Sequence, residues 1–89
     1  MIATKDDHHK DPALLSIGSM FVTGRIKKMY TLAELYPTKT ANSLGINYAR
    51  YMVKLSHPDK FTIGEIVRLA NLLNIEPDMI TKVIYSEMK

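Results

Sequence analysis

No cysteine occurs among the 89 residues, and glycine and proline number only four each. The first absence excludes disulfides, thiolate metal sites and a cysteine nucleophile, and it is compatible with a reducing compartment. The scarcity of glycine and proline, together with 46% hydrophobic and 24% charged residues, marks a chain that folds rather than one that stays disordered. No apolar run approaches the ~20 residues that cross a bilayer. The opening MIATKDDHHKD lacks the apolar core of a signal peptide, so a cytoplasmic location is expected, with no membrane partner. A glycine-rich phosphate loop, metal-ligand spacing and paired carboxylates on one predicted face are missing too. Ser56 beside His57 is not evidence of a nucleophile and its base, because adjacency in sequence does not provide the required geometry. A chain this short buries only roughly 60–65% of its unfolded surface, which leaves one core and little room for a deep catalytic cavity. The expectation is a single domain that is not an enzyme and needs no cofactor, metal or small-molecule substrate.

What charge there is lies unevenly. The net charge is +3, yet residues 1–11 and 61–89 are each net acidic by one. Between them, residues 12–60 carry Arg25, Lys27, Lys28, Lys39, Arg50, Lys54 and Lys60 against only Glu34 and Asp59. A polyanion partner accounts for that asymmetry, because lysine and arginine gain affinity for DNA by releasing its condensed counterions. Solvation of exposed helix faces accounts for it as well.

The pattern along the chain is helical throughout, with no strand-period run and no internal repeat. Residues 1–11 have no apolar period and read as a flexible tail; His8 and His9 within it have no further ligand to complete a metal site. Asp11-Pro12 starts a helix with a cap and a first-turn proline. Leu14, Leu15, Ile17, Met20, Phe21 and Val22 make it strongly apolar as far as Gly24, with Gly18 as an irregularity inside it. RIKKMY (25–30) is a basic connection. Thr31 and Glu34 have the spacing of a capping box for a short helix that Pro37 ends, and Thr38 begins the next, to Leu44. Tyr30, Tyr36 and Tyr48 read as core and rim packing. HPDK (57–60) makes a turn, Thr62 and Glu65 form a second capping box, and Ile63, Ile66, Val67, Leu69, Ala70, Leu72 and Leu73 pack a buried helix ending at Asn74. Glu76-Pro77 opens the last helix, with Met79, Ile80, Val83 and Ile84 inward. The predicted architecture is an all-α bundle of five to six short helices over residues 12–89.

The segment TKTANSLGINYARYMVKLS (38–56) carries the chemistry. Gly45 sits where the first helix stops and takes a positive φ without steric penalty, and Asn47 offers its side-chain oxygen as the N-cap of the next. Ala41, four residues earlier, leaves room for the two backbones to approach. Tyr48, Tyr51, Met52 and Leu55 recur at three- and four-residue steps and face inward; Ala49, Arg50, Val53 and Lys54 are left outside. These features describe a helix-turn-helix. Arg50 suits bidentate pairing with guanine or a phosphate contact, Asn47 suits adenine besides its capping role, and Tyr48 suits a phosphate or thymine methyl besides core packing.

The order of short helix, LGIN corner, reading helix and then FTIGEIVRLANLLNIEPDMI resembles the lambda-repressor-like class of helix-turn-helix domains. The resemblance covers about residues 31–84, and LANLLNIEPDMI is its most specific part. It implies a regulator of bacterial, phage or mobile-element origin that binds double-stranded DNA, frequently as a homodimer, with the helix at about 47–56 in the major groove. Carried over, Thr38 and Lys39 approach phosphates, Asn47, Tyr48 and Ala49 begin the reading helix, and Arg50, Val53 and Lys54 continue its exposed face. The chain departs from the class in several places. Lys39-Thr40 stands where Gln or Glu is usual, and Ala49 and Val53 stand where polar groups are common. Lys54 falls where an inward aliphatic residue is common, so either the helix is rotated or Lys54 snorkels. A protein-interaction or dimerisation module without DNA reading is the alternative, motivated by that apolar reading face and by the apolar helix at 12–23, which either completes the core or dimerises.

Overall fold

Asp11 behaves as its position predicts: its carboxylate accepts the Ala13 N–H at 2.8 Å and caps the helix that follows. The computed structural model of the chain describes residues 11–89, and these hold α1 (Pro12–Val22), α2 (Pro37–Leu44), α3 (Tyr48–Ser56), α4 (Ile63–Leu73) and α5 (Pro77–Met88). Two 3-10 turns, Met29–Glu34 and Pro58–Lys60, complete an all-α bundle, without a strand among the described residues. The tail and its His8-His9 pair lie outside the described residues except for Asp11.

One core runs through all five helices. Leu14, Ile17 and Phe21 of α1 are buried with Leu44 of α2, Tyr51 and Leu55 of α3, Leu69 and Leu73 of α4 and Ile80 of α5. Each such side chain contributes about 1.5–3 kcal/mol on burial. The apolar helix at the start of the domain therefore completes the core, packing on α4 and α5. The loop after it contributes Ile26, and the first 3-10 turn contributes Met29. Gly18 is buried, and its backbone lies against the Leu73 carbonyl so closely that a Cβ would overlap it; the glycine is a contact, not an irregularity.

Helices α2 and α4 end on the left-handed cap residues Gly45 and Asn74, while in α1 the left-handed Gly24 follows the Thr23 cap. Asn74 closes α4 with φ +59°, and the following Ile75 N–H returns to the Ala70 carbonyl at 3.0 Å, the pattern of a Schellman ending. Isoleucine follows the left-handed residue of both α2 and α4, and Ile46 and Ile75 both pack on the core.

Several local readings need correction. Residues 29–34 form a 3-10 turn whose N-cap is Lys28, so the Thr31–Glu34 capping box does not form. Its first N–H, that of Met29, is instead capped at 2.6 Å by Glu87 Oε2 from the far end of α5. Pro37 opens α2 as its first residue rather than closing the helix before it, because Tyr36 turns the chain with φ +51°. In α4, Ile63 and Val67 are exposed, at 78% and 41%, and Leu72 is only partly buried; the inward positions are Glu65, Ile66, Leu69, Ala70 and Leu73. Tyr30, Tyr36 and Tyr48 are all about half exposed, and the tyrosine of the core is Tyr51.

Candidate nucleic-acid interface

The corner between α2 and α3 is three residues long. Gly45 has φ +80°, its N–H reaches the Asn42 carbonyl at 3.1 Å, and the Ile46 N–H reaches the Ala41 carbonyl at 3.2 Å. A Cβ at Gly45 would meet nothing within 4 Å, so the backbone conformation, not space, calls for glycine there. Ala41 is buried, which keeps α2 close to its neighbours. Asn47, in extended geometry, accepts the Arg50 N–H at 2.8 Å and starts α3 as its N-cap.

Two faces of α3 then separate. Tyr51 and Leu55 are buried and Met52 is partly so. Asn47, Tyr48, Ala49, Arg50 and Val53 are exposed, with Tyr48 at 48% and Val53 at 50%. Tyr48 thus belongs to the outer face, contrary to its predicted inward position. Lys54 is corrected in the opposite sense: it is buried, and its ammonium lies 3.0 Å from Glu65 Oε1 and donates to the Lys60 carbonyl at 3.0 Å. Of the eight residues drawn from sequence, Lys54 is the one whose charge is committed to the interior.

Burial alone would push the Glu65 carboxyl up. The Thr62 N–H and the Lys54 ammonium, by hydrogen bond and by charge, outweigh that and hold it below its ordinary value. Glu65 also completes the predicted capping box, taking the Thr62 N–H at 2.9 Å while Thr62 Oγ1 takes the Glu65 N–H at 3.1 Å. One carboxylate therefore starts α4 and ties α3 to it.

On α2, Thr38 and Lys39 are exposed, as a phosphate-facing role requires. Lys39 is not free: its ammonium lies 2.9 Å from Asp11 Oδ2. The Lys39 hydrogen bond, with that of the Ala13 N–H, holds the Asp11 carboxyl below its ordinary value. A pair this exposed is weak and screened by salt, so a phosphate can compete for Lys39. The neighbouring Thr40 hydroxyl is buried and donates to the Tyr36 carbonyl at 2.8 Å.

Ala49, Arg50, Val53 and Lys54 line an open dent of about 270 Å³ together with Lys60 of the second 3-10 turn. From sequence Lys60 counts toward the charge excess and the 57–60 turn but not toward the site; the turn at Pro58 and the Lys54 hydrogen bond to its carbonyl bring it to α3. Among the described residues neither Arg50 nor Lys60 has an acidic partner.

Comparison with protein-family models, with curated proteins and with solved structures yields no match. The functional reading therefore rests on the geometry of this surface and on the resemblance of the sequence. No helix among the described residues is long and apolar enough to cross a membrane.

Proposed function

We propose that the chain is a sequence-reading DNA-binding regulator of the lambda-repressor-like kind, acting in the cytoplasm by docking α3 in the major groove rather than by catalysis. One observation carries the reading: α3 follows a three-residue corner, is anchored by Tyr51, Leu55 and the Lys54–Glu65 pair, and turns Asn47, Tyr48, Ala49, Arg50 and Val53 outward. A helix held on one side by packing and free on the other presents its side chains in fixed register, as base reading requires. The positive charge of residues 12–60 supports it. In this reading Thr38 and Lys39 approach phosphates and Arg50 meets a base edge or a phosphate. Two copies of the chain on an inverted repeat give the homodimeric form.

Duplex binding measured against salt concentration tests the reading. With two to three phosphate-neutralising bases per protomer, log K falls against log salt with a slope of about −2 to −3 per bound protomer, twice that for the dimer. No binding at low salt, or binding that ignores salt, refutes it and leaves the interaction module, which the half-exposed Tyr48 and Val53 favour. Arg50→Ala then assigns that side chain: a loss of about 1–3 kcal/mol confined to the cognate site means base readout, and a uniform loss over all sequences means a phosphate contact.

A further inference from the structure

The outer face of α3 is apolar where it is flanked by charge. Ala49 and Val53, one turn apart, line the dent of about 270 Å³, with Arg50, Lys54 and Lys60 around them. The Lys54 ammonium is held by Glu65 and the Lys60 carbonyl, so this residue adds its aliphatic stem to the wall and not its charge. The surface is therefore mostly carbon, with two cations, Arg50 and Lys60, beside it.

Two requirements follow for whatever fills the dent. It must be anionic around its contact region, to meet Arg50 and Lys60, and it must present an apolar group to Ala49 and Val53. In the major groove the four unmodified base pairs differ in this respect. Guanine, cytosine and adenine present hydrogen-bonding groups there, whereas thymine adds a C5 methyl. A donor or acceptor pressed against Ala49 and Val53 would lose water without gaining a partner, which is unfavourable. A methyl loses nothing of the kind. RNA fails both ways, since uracil has no methyl and the A-form major groove is too narrow to admit the helix.

We propose that Ala49 and Val53 form a thymine-methyl site, making thymine the base required opposite the middle of α3. The proposal rests on the DNA-binding reading above and adds the base that the apolar face selects. Burying one methyl corresponds to about a fourfold change in Kd.

The test uses the full chain and a duplex selected by it from a random-sequence pool. Each thymine of that duplex is replaced singly by deoxyuridine, which removes the methyl and leaves the pairing edge intact, and Kd is measured at one fixed salt concentration. Binding weakens about fourfold at one or two thymines per half-site. That penalty disappears in Val53→Ser, and in Ala49→Ser should the first variant fold poorly; both positions are exposed, and a thermal melt verifies the fold. Tolerance of deoxyuridine at every position, a selected site without thymine, or a penalty unchanged in both variants overturns the thymine site while leaving DNA reading in place. A pool that never enriches, even at low salt, removes the DNA reading and the thymine site together.

Discussion

Replacing Gly18 by alanine sets two effects of opposite sign against each other. Gly18 lies inside α1, where alanine improves helix propensity by about 1 kcal/mol. A Cβ at that position would overlap the Leu73 carbonyl oxygen, and it would lie 3.1 Å from the carbonyl carbon and 3.2 Å from Ile75 Cγ2. The Leu73 oxygen belongs to the backbone at the end of α4 and cannot rotate away, so α1 must retreat. A gap of about 0.5–1 Å forfeits a quarter to a half of the dispersion attraction across it. The buried side chains that α1 would draw back with it are Leu14, Ile17 and Phe21, which together contribute roughly 7 kcal/mol by burial. Losing about a third of that costs roughly 2–3 kcal/mol, within the usual range for overpacking.

The net destabilisation after the propensity gain is about 1–2 kcal/mol, which lowers Tm by roughly 5–15 °C in a domain of this size. Circular dichroism melts of wild type and Gly18→Ala measure it. Gly64→Ala is the control, because its Cβ would meet only Arg68 and Thr62 side-chain atoms at 3.8 and 3.9 Å. Propensity acts alone there, so the control melts at or above the wild-type temperature. An unchanged or raised Tm in Gly18→Ala would refute the close approach of α1 to the end of α4.

The buried Tyr51 hydroxyl makes no hydrogen bond of good geometry, although the Thr40 hydroxyl lies near it, and burial pushes its pKa above the ordinary phenol range. Tyr51→Phe removes an unsatisfied polar atom and keeps the ring, so the urea midpoint stays the same or rises; a loss above about 1 kcal/mol would mean the hydroxyl is bonded. Lys54→Met leaves the Glu65 carboxylate with its Thr62 bond and no counter-charge. The loss at neutral pH is about 2–3 kcal/mol, below the 3–5 of a fully enclosed pair because about a tenth of each side chain remains exposed. The pH dependence has a definite sign. In the wild type the folded Glu65 pKa is depressed, so its contribution is fully present above the ordinary carboxylate value of 4.5 and is lost as pH falls through the lower folded value. In Lys54→Met the part of that depression owed to the ammonium is gone while burial and the Thr62 bonds remain, so acid narrows the gap between the two proteins in urea titrations. A gap that stays constant into the acid range would rule out the Lys54–Glu65 coupling.

The features legible in sequence are those whose hydrogen bonds close within a few residues. Asp11 to Ala13, Asn47 to Arg50 and Thr62 to Glu65 are such local devices, and each forms where its residue types require. The features that were not legible depend on partners elsewhere in the chain. Lys54 reads as outward on its own helix because a lysine with no visible partner belongs in water; Glu65 on α4 changes that. The Met29 N–H is capped by a residue 58 positions away, which no local capping rule finds. Gly18 looks like a flaw in a helix until the Leu73 carbonyl is in place beside it. Ile63 and Val67 follow the helical period yet face outward, because periodicity gives the spacing of a face and not which of two adjoining faces the rest of the domain covers.

The inward turn of Lys54 changes the candidate interface more than removing one charge would suggest. Arg50 is left as the only exposed cation on α3, and the second cation at the same surface comes from Lys60 on the next turn. Lys54 holds that turn: its ammonium donates to the Lys60 carbonyl while pairing with Glu65, so the lysine predicted to touch DNA instead fixes the backbone of the lysine that faces outward. On the proposed DNA-binding reading, replacing Lys54 weakens binding indirectly, through stability and the position of Lys60. If the exposed Lys60 meets a phosphate on that reading, replacing it reduces the salt slope by about 1 per bound protomer without a comparable loss of Tm. Those two signatures separate a positioning lysine from a contacting one.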